Sequence, residues 1–138
     1  MGKVNFFAIL AIAATLVVGC TGAAQPQGGT VHATLTEMKI ALDRVSIPAG
    51  PVTFVVKNSG TVVHELVVIK TDVAQDKLAA DADEVGKMDE TGNLGETGDM
   101  VVGESRTFTA TLPAGHYVIM CNEIGHYVGG MHIAFTVN

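Results

Sequence analysis

This sequence predicts an all-β domain, an antiparallel β-sandwich of about seven or eight short strands. Three observations carry that expectation: apolar and polar residues alternate with period 2, other stretches run continuously apolar and β-branched, and turn residues separate them. A chain of 138 residues, 48% apolar, with two Cys and no Trp, suits one such domain and excludes two of full size. The net charge is −6 and Lys and Arg occur singly, so the basic face that phosphate contacts require is missing and nucleic acid is not an expected partner.

The N-terminus reads as an address. Lys3 is followed by the uncharged run from Phe6 to Val18, which raises the mean hydropathy to +0.38 and ends in Val17-Val18-Gly19-Cys20. A helix of that length reaches roughly 20 Å, short of the roughly 30 Å hydrocarbon core, so residues 1–19 read as a lipoprotein signal peptide rather than a membrane span. Val17 to Cys20 resembles a bacterial lipobox, which implies cleavage before Cys20, lipidation of its thiol, and a periplasmic or cell-surface lipoprotein. Thr21 stands where an acidic residue often accompanies inner-membrane retention, which favours the outer membrane in a cell that has two. A simple secretory signal cut near Ala23-Ala24 would also remove Cys20, so Cys121 is the one thiol left for the fold. Residues 20–30, small, polar and rich in Gly and Gln, read as a flexible tether to a domain over 31–138.

Within that domain Val31-x-Ala33-x-Leu35, Val52-x-Phe54-x-Val56 and Phe108-x-Ala110-x-Leu112 alternate as half-buried strands do. Val62 to Ile69 and Tyr117 to Met120 are continuously apolar, as in strands covered on both sides or lining a site, and Ile133 to Val137 closes the chain as a strand. Pro48-Ala49-Gly50-Pro51, Asn58-Ser59-Gly60 and Pro113-Ala114-Gly115 are the turns between them. Residues 71–104 break the pattern. Ten acids there face only Lys77 and Lys87, a net charge of −8, which leaves about +2 for the rest of the chain. Asp72 to Ala82 reads as a short helix and Gly92 to Gly98 as loop. The acidic insertion is either a solvated loop or a docking surface for a basic redox partner, acting mainly on association rate.

The chemistry concentrates near the C-terminus. Cys121-Asn122-Glu123-Ile124-Gly125-His126-Tyr127-Val128-Gly129-Gly130-Met131 places a thiol, an imidazole and a thioether at successive intervals of five, in a loop whose glycines permit tight turns. His64, a polar residue in an apolar stretch just after the Asn58-Ser59-Gly60 turn, is the best candidate for a fourth donor. One thiolate, two imidazoles and a weak Met form the ligand set of blue-copper electron-transfer sites. Thiolate and thioether favour Cu(I), imidazole suits both oxidation states, and a rigid trigonal arrangement lies between the geometries that each prefers. Zinc fits the same donors but has no redox couple. Binding requires the thiolate and neutral imidazoles, so affinity falls at acid pH.

His64 followed by Cys-x4-His-x4-Met resembles the cupredoxins, the small blue-copper proteins of the plastocyanin and azurin type, and within them the sulfocyanin and rusticyanin-like branch. The resemblance covers roughly Val31 to Asn138. It implies a Greek-key β-sandwich with one type 1 copper ion near one end, Cys121 as the short thiolate ligand, His64 and His126 as imidazole ligands, and Met131 as the weak axial sulfur. It further implies that His126 lies nearest the surface and that single electrons pass at its ring edge. Many cupredoxins follow the first His with an Asn that braces the ligand loop, and here Glu65 stands in that place. Glu65 is therefore expected to brace the loop through its carboxylate, while its backbone N–H and that of Glu123 bond the thiolate. His32, His116 and His132 are expected on exposed strand positions or turns, and Met120 in the core on the face opposite Cys121.

Ile124, Tyr127, Val128, Gly129 and Gly130 make the surroundings of His126 small and apolar, which suits brief docking of a partner. The function expected is lipid-anchored, extracytoplasmic electron transfer by a monomer between redox proteins such as a c-type cytochrome, an oxidase or a reductase. No catalytic residue is expected, since too few histidines remain for a second metal cluster. The alternative is a copper-delivery lipoprotein that exchanges Cu(I) and needs no rigid thiolate site.

Overall fold

The computed structural model describes residues 1–2 and 28–138. The expected signal peptide, Cys20 and most of the tether lie outside the described residues. Among the described residues nine strands follow in order: β1 (Gly29–Thr36), β2 (Lys39–Leu42), β3 (Ser46–Ile47), β4 (Gly50–Asn58), β5 (Val67–Lys70), β6 (Asn93–Glu96), β7 (Ser105–Leu112), β8 (Gly115–Met120) and β9 (His132–Val137). They form two sheets, β2-β1-β4-β7 and β3-β9-β8-β5-β6. The first strand starts at Gly29, inside the expected tether, because Gly29 and Thr30 pair with Val52 and Thr53.

The alternating segments become strands with one buried face. Val31, Ala33 and Leu35 of β1, Val52, Phe54 and Val56 of β4, and Ala110 and Leu112 of β7 point into the sandwich, where Phe54 stacks on Phe108 at 5.1 Å between ring centroids. Each Val, Leu or Phe among them contributes roughly 1.5–3 kcal/mol on full burial. Most pairings are antiparallel, but β1–β4 and β3–β9 are parallel. The chain reaches each parallel partner only after visiting other strands, and alternation within a strand carries no information about that direction.

The continuous runs are covered on both faces. Val68, Tyr117 and Ile119 face the inner core, while Val67, Ile69, Val118 and Met120 face outward and are buried beneath Met88, Tyr127 and the partly buried Leu78. Met88 and Leu78 belong to the acidic segment, so that segment is a cover for the outer face of the second sheet.

Three local expectations are corrected. The strand expected over Val62 to Ile69 begins only at Val67; Val62 and Val63 are exposed and His64 makes a single bridge to Met100, because the Asn58 side chain occupies the carbonyls of Val62 and Met100. Asp72 to Ala82 forms turns and a bridge from Ala80 to Met88, with no helix among the described residues. The Tyr127 hydroxyl donates to the Gln75 carbonyl and accepts from the Leu78 N–H, taking backbone groups that a helix would need. Gly92 to Gly98 contains edge strand β6, whose Gly95 passes so close to Phe108 that a Cβ would stand 2.9 Å from the ring. Met38, in the two-residue turn between β1 and β2, has φ of 54°, a region that costs a non-glycine residue about 1–2 kcal/mol. No helix among the described residues is long and apolar enough to cross a membrane.

Candidate metal centre

Two separate segments deliver the donors to one end of the sandwich. The first is Asn58 to Glu65. Asn58 is fully buried; its Nδ2 donates to the Val62 and Met100 carbonyls, both at 2.9 Å, and its Oδ1 accepts from the Gly60 N–H. Together with the reciprocal backbone bonds between His64 and Met100, this fixes the backbone that carries the His64 ring. The ring is wholly buried, and burial followed by the nearby His126 pushes its pKa down, which favours the neutral form that a metal needs.

The second segment is the loop between β8 and β9. Cys121 continues the inward parity of Tyr117 and Ile119, so its thiol points into the sandwich with no solvent exposure. The Cys121 N–H donates to the Met131 carbonyl and the Met131 N–H to the His126 carbonyl, each at 3.0 Å, so the backbone stitches the three loop donors together. Gly125 and Gly130, with φ of 81° and 102°, take the left-handed conformations that this folding requires. Met131 is fully buried in the inner core.

The atoms converge. His64 Nδ1 lies 3.2 Å from His126 Nδ1 and 3.9 Å from Cys121 Sγ, and His126 Nδ1 lies 3.3 Å from the sulfur. Donors bound to one first-row ion at about 2.0–2.3 Å stand roughly 3.2–4 Å apart, so the set fits a single ion. Burial pushes the Cys121 thiol up to about 11, against the pull of the Glu65 and Glu123 N–H groups, the former 3.4 Å from the sulfur. A buried thiol facing two ring nitrogens is a poor arrangement for protons and a good one for a soft cation.

The neighbouring residues divide differently from the sequence expectation. Glu65 is buried and its N–H reaches the sulfur, but its carboxylate makes no hydrogen bond among the described residues, so it does not brace the loop. Burial, then the charges of Glu90 and Glu123, raise its pKa to about 7. The bracing comes from Asn122, which the sequence reading passed over: its Oδ1 accepts from the Met88 N–H at 2.7 Å, and its Nδ2 donates to the Met88 carbonyl and to Glu90 Oε1. In the sequence Asn58 reads only as a turn residue. Its position six residues before a candidate ligand was the available signal, whereas nothing in the sequence pairs Asn122 with Met88.

Among the expected docking residues, Ile124 and Val128 are 68% and 75% exposed and Gly129 and Gly130 are exposed. Tyr127 is not; its ring lies in the outer core and its hydroxyl holds the acidic segment. Met38 takes its place at the surface, its sulfur beside Gly129. His126 is partly exposed, the one member of the donor set that is not buried. His32 and His116 are exposed, while His132 is half-buried with its ring against Tyr127.

A two-sheet sandwich with one Cys, two His and a Met gathered at one end defines a cupredoxin, a blue copper protein whose cofactor is one type 1 copper ion. The sequence specifies the branch: residues 12–138 match the Sulfocyanin (SoxE) domain, and the chain belongs to that family. Among solved structures, it is similar to dithionite-reduced auracyanin from the photosynthetic bacterium Roseiflexus castenholzii, with 30% identity over 79% of this chain and 96% of that one and a TM-score of 0.61. Auracyanin A, a "blue" copper protein from Chloroflexus aurantiacus, is 23% identical over 80% of this chain and all of that one, with a TM-score of 0.56. Rusticyanin from Thiobacillus ferrooxidans is 21% identical over 81% of this chain and 79% of that one, with a TM-score of 0.55; at these identities both share the fold. No curated protein matches the chain by sequence.

Proposed function

We propose that this protein is an extracytoplasmic one-electron carrier, tethered to a membrane through a lipid on Cys20, that shuttles electrons between redox proteins. The convergence of His64 Nδ1, His126 Nδ1 and Cys121 Sγ within 3.9 Å carries the reading. His64, Cys121, His126 and Met131 would hold the copper, and the bound ion supplies the one-electron couple. The chain's own contribution is rigidity and dryness: Asn58 fixes the His64 backbone, and the Cys121–Met131 and Met131–His126 backbone bonds fix the loop. Such preorganisation keeps the ligand set from rearranging when its charge changes.

His126 is the only imidazole of the set that reaches the surface, and exposed Ile124, Val128 and Met38 flank its loop. A partner such as a c-type cytochrome, an oxidase or a reductase would approach there, over a small apolar contact that parts quickly. The acidic segment 71–104 would steer a basic partner by raising the association rate at low salt.

The test is spectroscopic. Purified protein loaded with copper should show an intense blue absorption that disappears and returns on one-electron reduction and reoxidation. Colourless copper that a chelator removes readily would overturn the reading in favour of copper delivery. Incorporation of labelled fatty acid that is lost in Cys20→Ser tests the anchor.

A further inference from the structure

The His64 ring presents Nδ1 to the other donors, so its second nitrogen, Nε2, must carry the proton whenever Nδ1 binds a metal. Nε2 is buried and has no hydrogen-bond partner among the described residues. A buried N–H without an acceptor is costly, and a ligand imidazole ordinarily donates its free N–H to a fixed group. Oε1 of Glu37 faces it from 3.6 Å away. Glu37 sits in the two-residue turn between β1 and β2, far from His64 in sequence, and that turn places Met38 in a left-handed conformation.

The carboxylate is itself held in place. Its Oε1 accepts from the N–H and hydroxyl of Thr61 and from the N–H of Val62, so the same oxygen that faces His64 is tied to the segment carrying it. Gly60 closes the remaining side. A Cβ there would stand 2.6 Å from Glu37 Oε1 and 2.7 Å from His64 Nε2, so only a glycine lets the two groups meet.

We propose that Glu37 is a positioning residue for the metal centre: it accepts the Nε2 proton of His64, fixes the ring's tautomer, and places a negative charge behind the ligand that favours the more highly charged oxidised state. The inference rests on the copper reading.

The experiment compares the reduction potential of the copper-loaded protein with those of Glu37→Gln, Glu37→Ala and Asp43→Asn. Glutamine keeps a carbonyl acceptor for Nε2, Thr61 and Val62 but removes the charge. Glu37→Gln should shift the balance of Cu(II) over Cu(I) affinity about tenfold toward Cu(I), an upward shift of about 59 mV. Glu37→Ala should shift it at least as far and release copper faster to a chelator. Asp43→Asn removes a charge at the opposite end of β2 and should leave the potential unchanged. In the diamagnetic Cu(I) protein, the His64 Hε2 resonance should move on Glu37→Gln and exchange faster with solvent in Glu37→Ala. A blue Glu37→Gln protein with the wild-type potential, or an equal shift in Asp43→Asn, overturns the proposal while leaving the copper centre intact. Wild-type protein that takes up no copper overturns both.

Discussion

The two segments that supply the donors are built on different principles. Asn58 to Glu65 is part of the sandwich: Asn58 and His64 are fully buried, the Asn58 amide and the His64 backbone are satisfied by Met100, Gly60 and Val62, and the segment packs against the inner core. Cys121 to Met131 is a loop anchored at its two ends, with His126, Ile124 and Val128 in reach of solvent between them. The loop's bracing, through Asn122, goes outward to Met88 in the acidic segment rather than inward to the core. Low reorganisation and partner access make opposite demands on packing, and the protein meets them by giving each to a different segment.

Removing the group where the segments meet breaks the comparison outright. Cys121→Ser replaces the soft thiolate by a hydroxyl, and the blue absorption should vanish completely in a copper titration, with the fold retained by circular dichroism.

The two asparagines sharpen it. Asn58→Ala leaves the Val62 carbonyl and the Gly60 N–H without a partner and the Met100 carbonyl one bond short, and should cost about 3 kcal/mol in urea unfolding, whereas Asn122→Ala should cost about 1–2 kcal/mol, since Met88, though buried, is followed by exposed Asp89 in a covering segment that can open to let water reach the freed groups. The latter should instead speed proteolysis within residues 71–104. Equal losses in the two variants would show that core and loop are braced alike.

A pH effect follows from Glu65, which sits between the segments. In the metal-free protein its folded-state pKa, about 7, lies above the unfolded value of about 4.5, so the folded state binds the proton more tightly. The stabilisation contributed by Glu65 should therefore be fully present below about pH 4.5 and be lost as pH rises through 7, by about 2–3 kcal/mol in all. Glu65→Gln should flatten that decline in denaturant titrations at a series of pH values. The smallest effect belongs to the surface: Ile124→Ser with Val128→Ser should change stability by less than about 0.5 kcal/mol. Electron exchange with a redox partner should nevertheless slow several-fold in stopped-flow traces, and an unchanged rate would place the docking surface elsewhere.

The strands with one buried face were legible because period-2 alternation is a local property: Val31, Val52 and Phe108 each announce their own face. The ligand loop was legible because Cys121, His126 and Met131 lie within eleven consecutive residues. The bend around His64 was not, since the Val62-to-Ile69 run reads as one strand until Asn58 reaches across to Val62 and Met100. Tyr127 reads as a surface residue because its neighbours belong there, and the Gln75 and Leu78 backbone groups that hold its hydroxyl are about fifty positions away.

By itself, the sequence determined the fold class, the identities of the four donors and the metal they suit, because residue type and short spacing carry that information. Only the tertiary structure decided which groups stand behind the donors. Glu37 at His64 Nε2, Gly60 between them, and Asn122 on Met88 are contacts between segments remote in the chain, and they exist only once two sheets and a covering segment have packed.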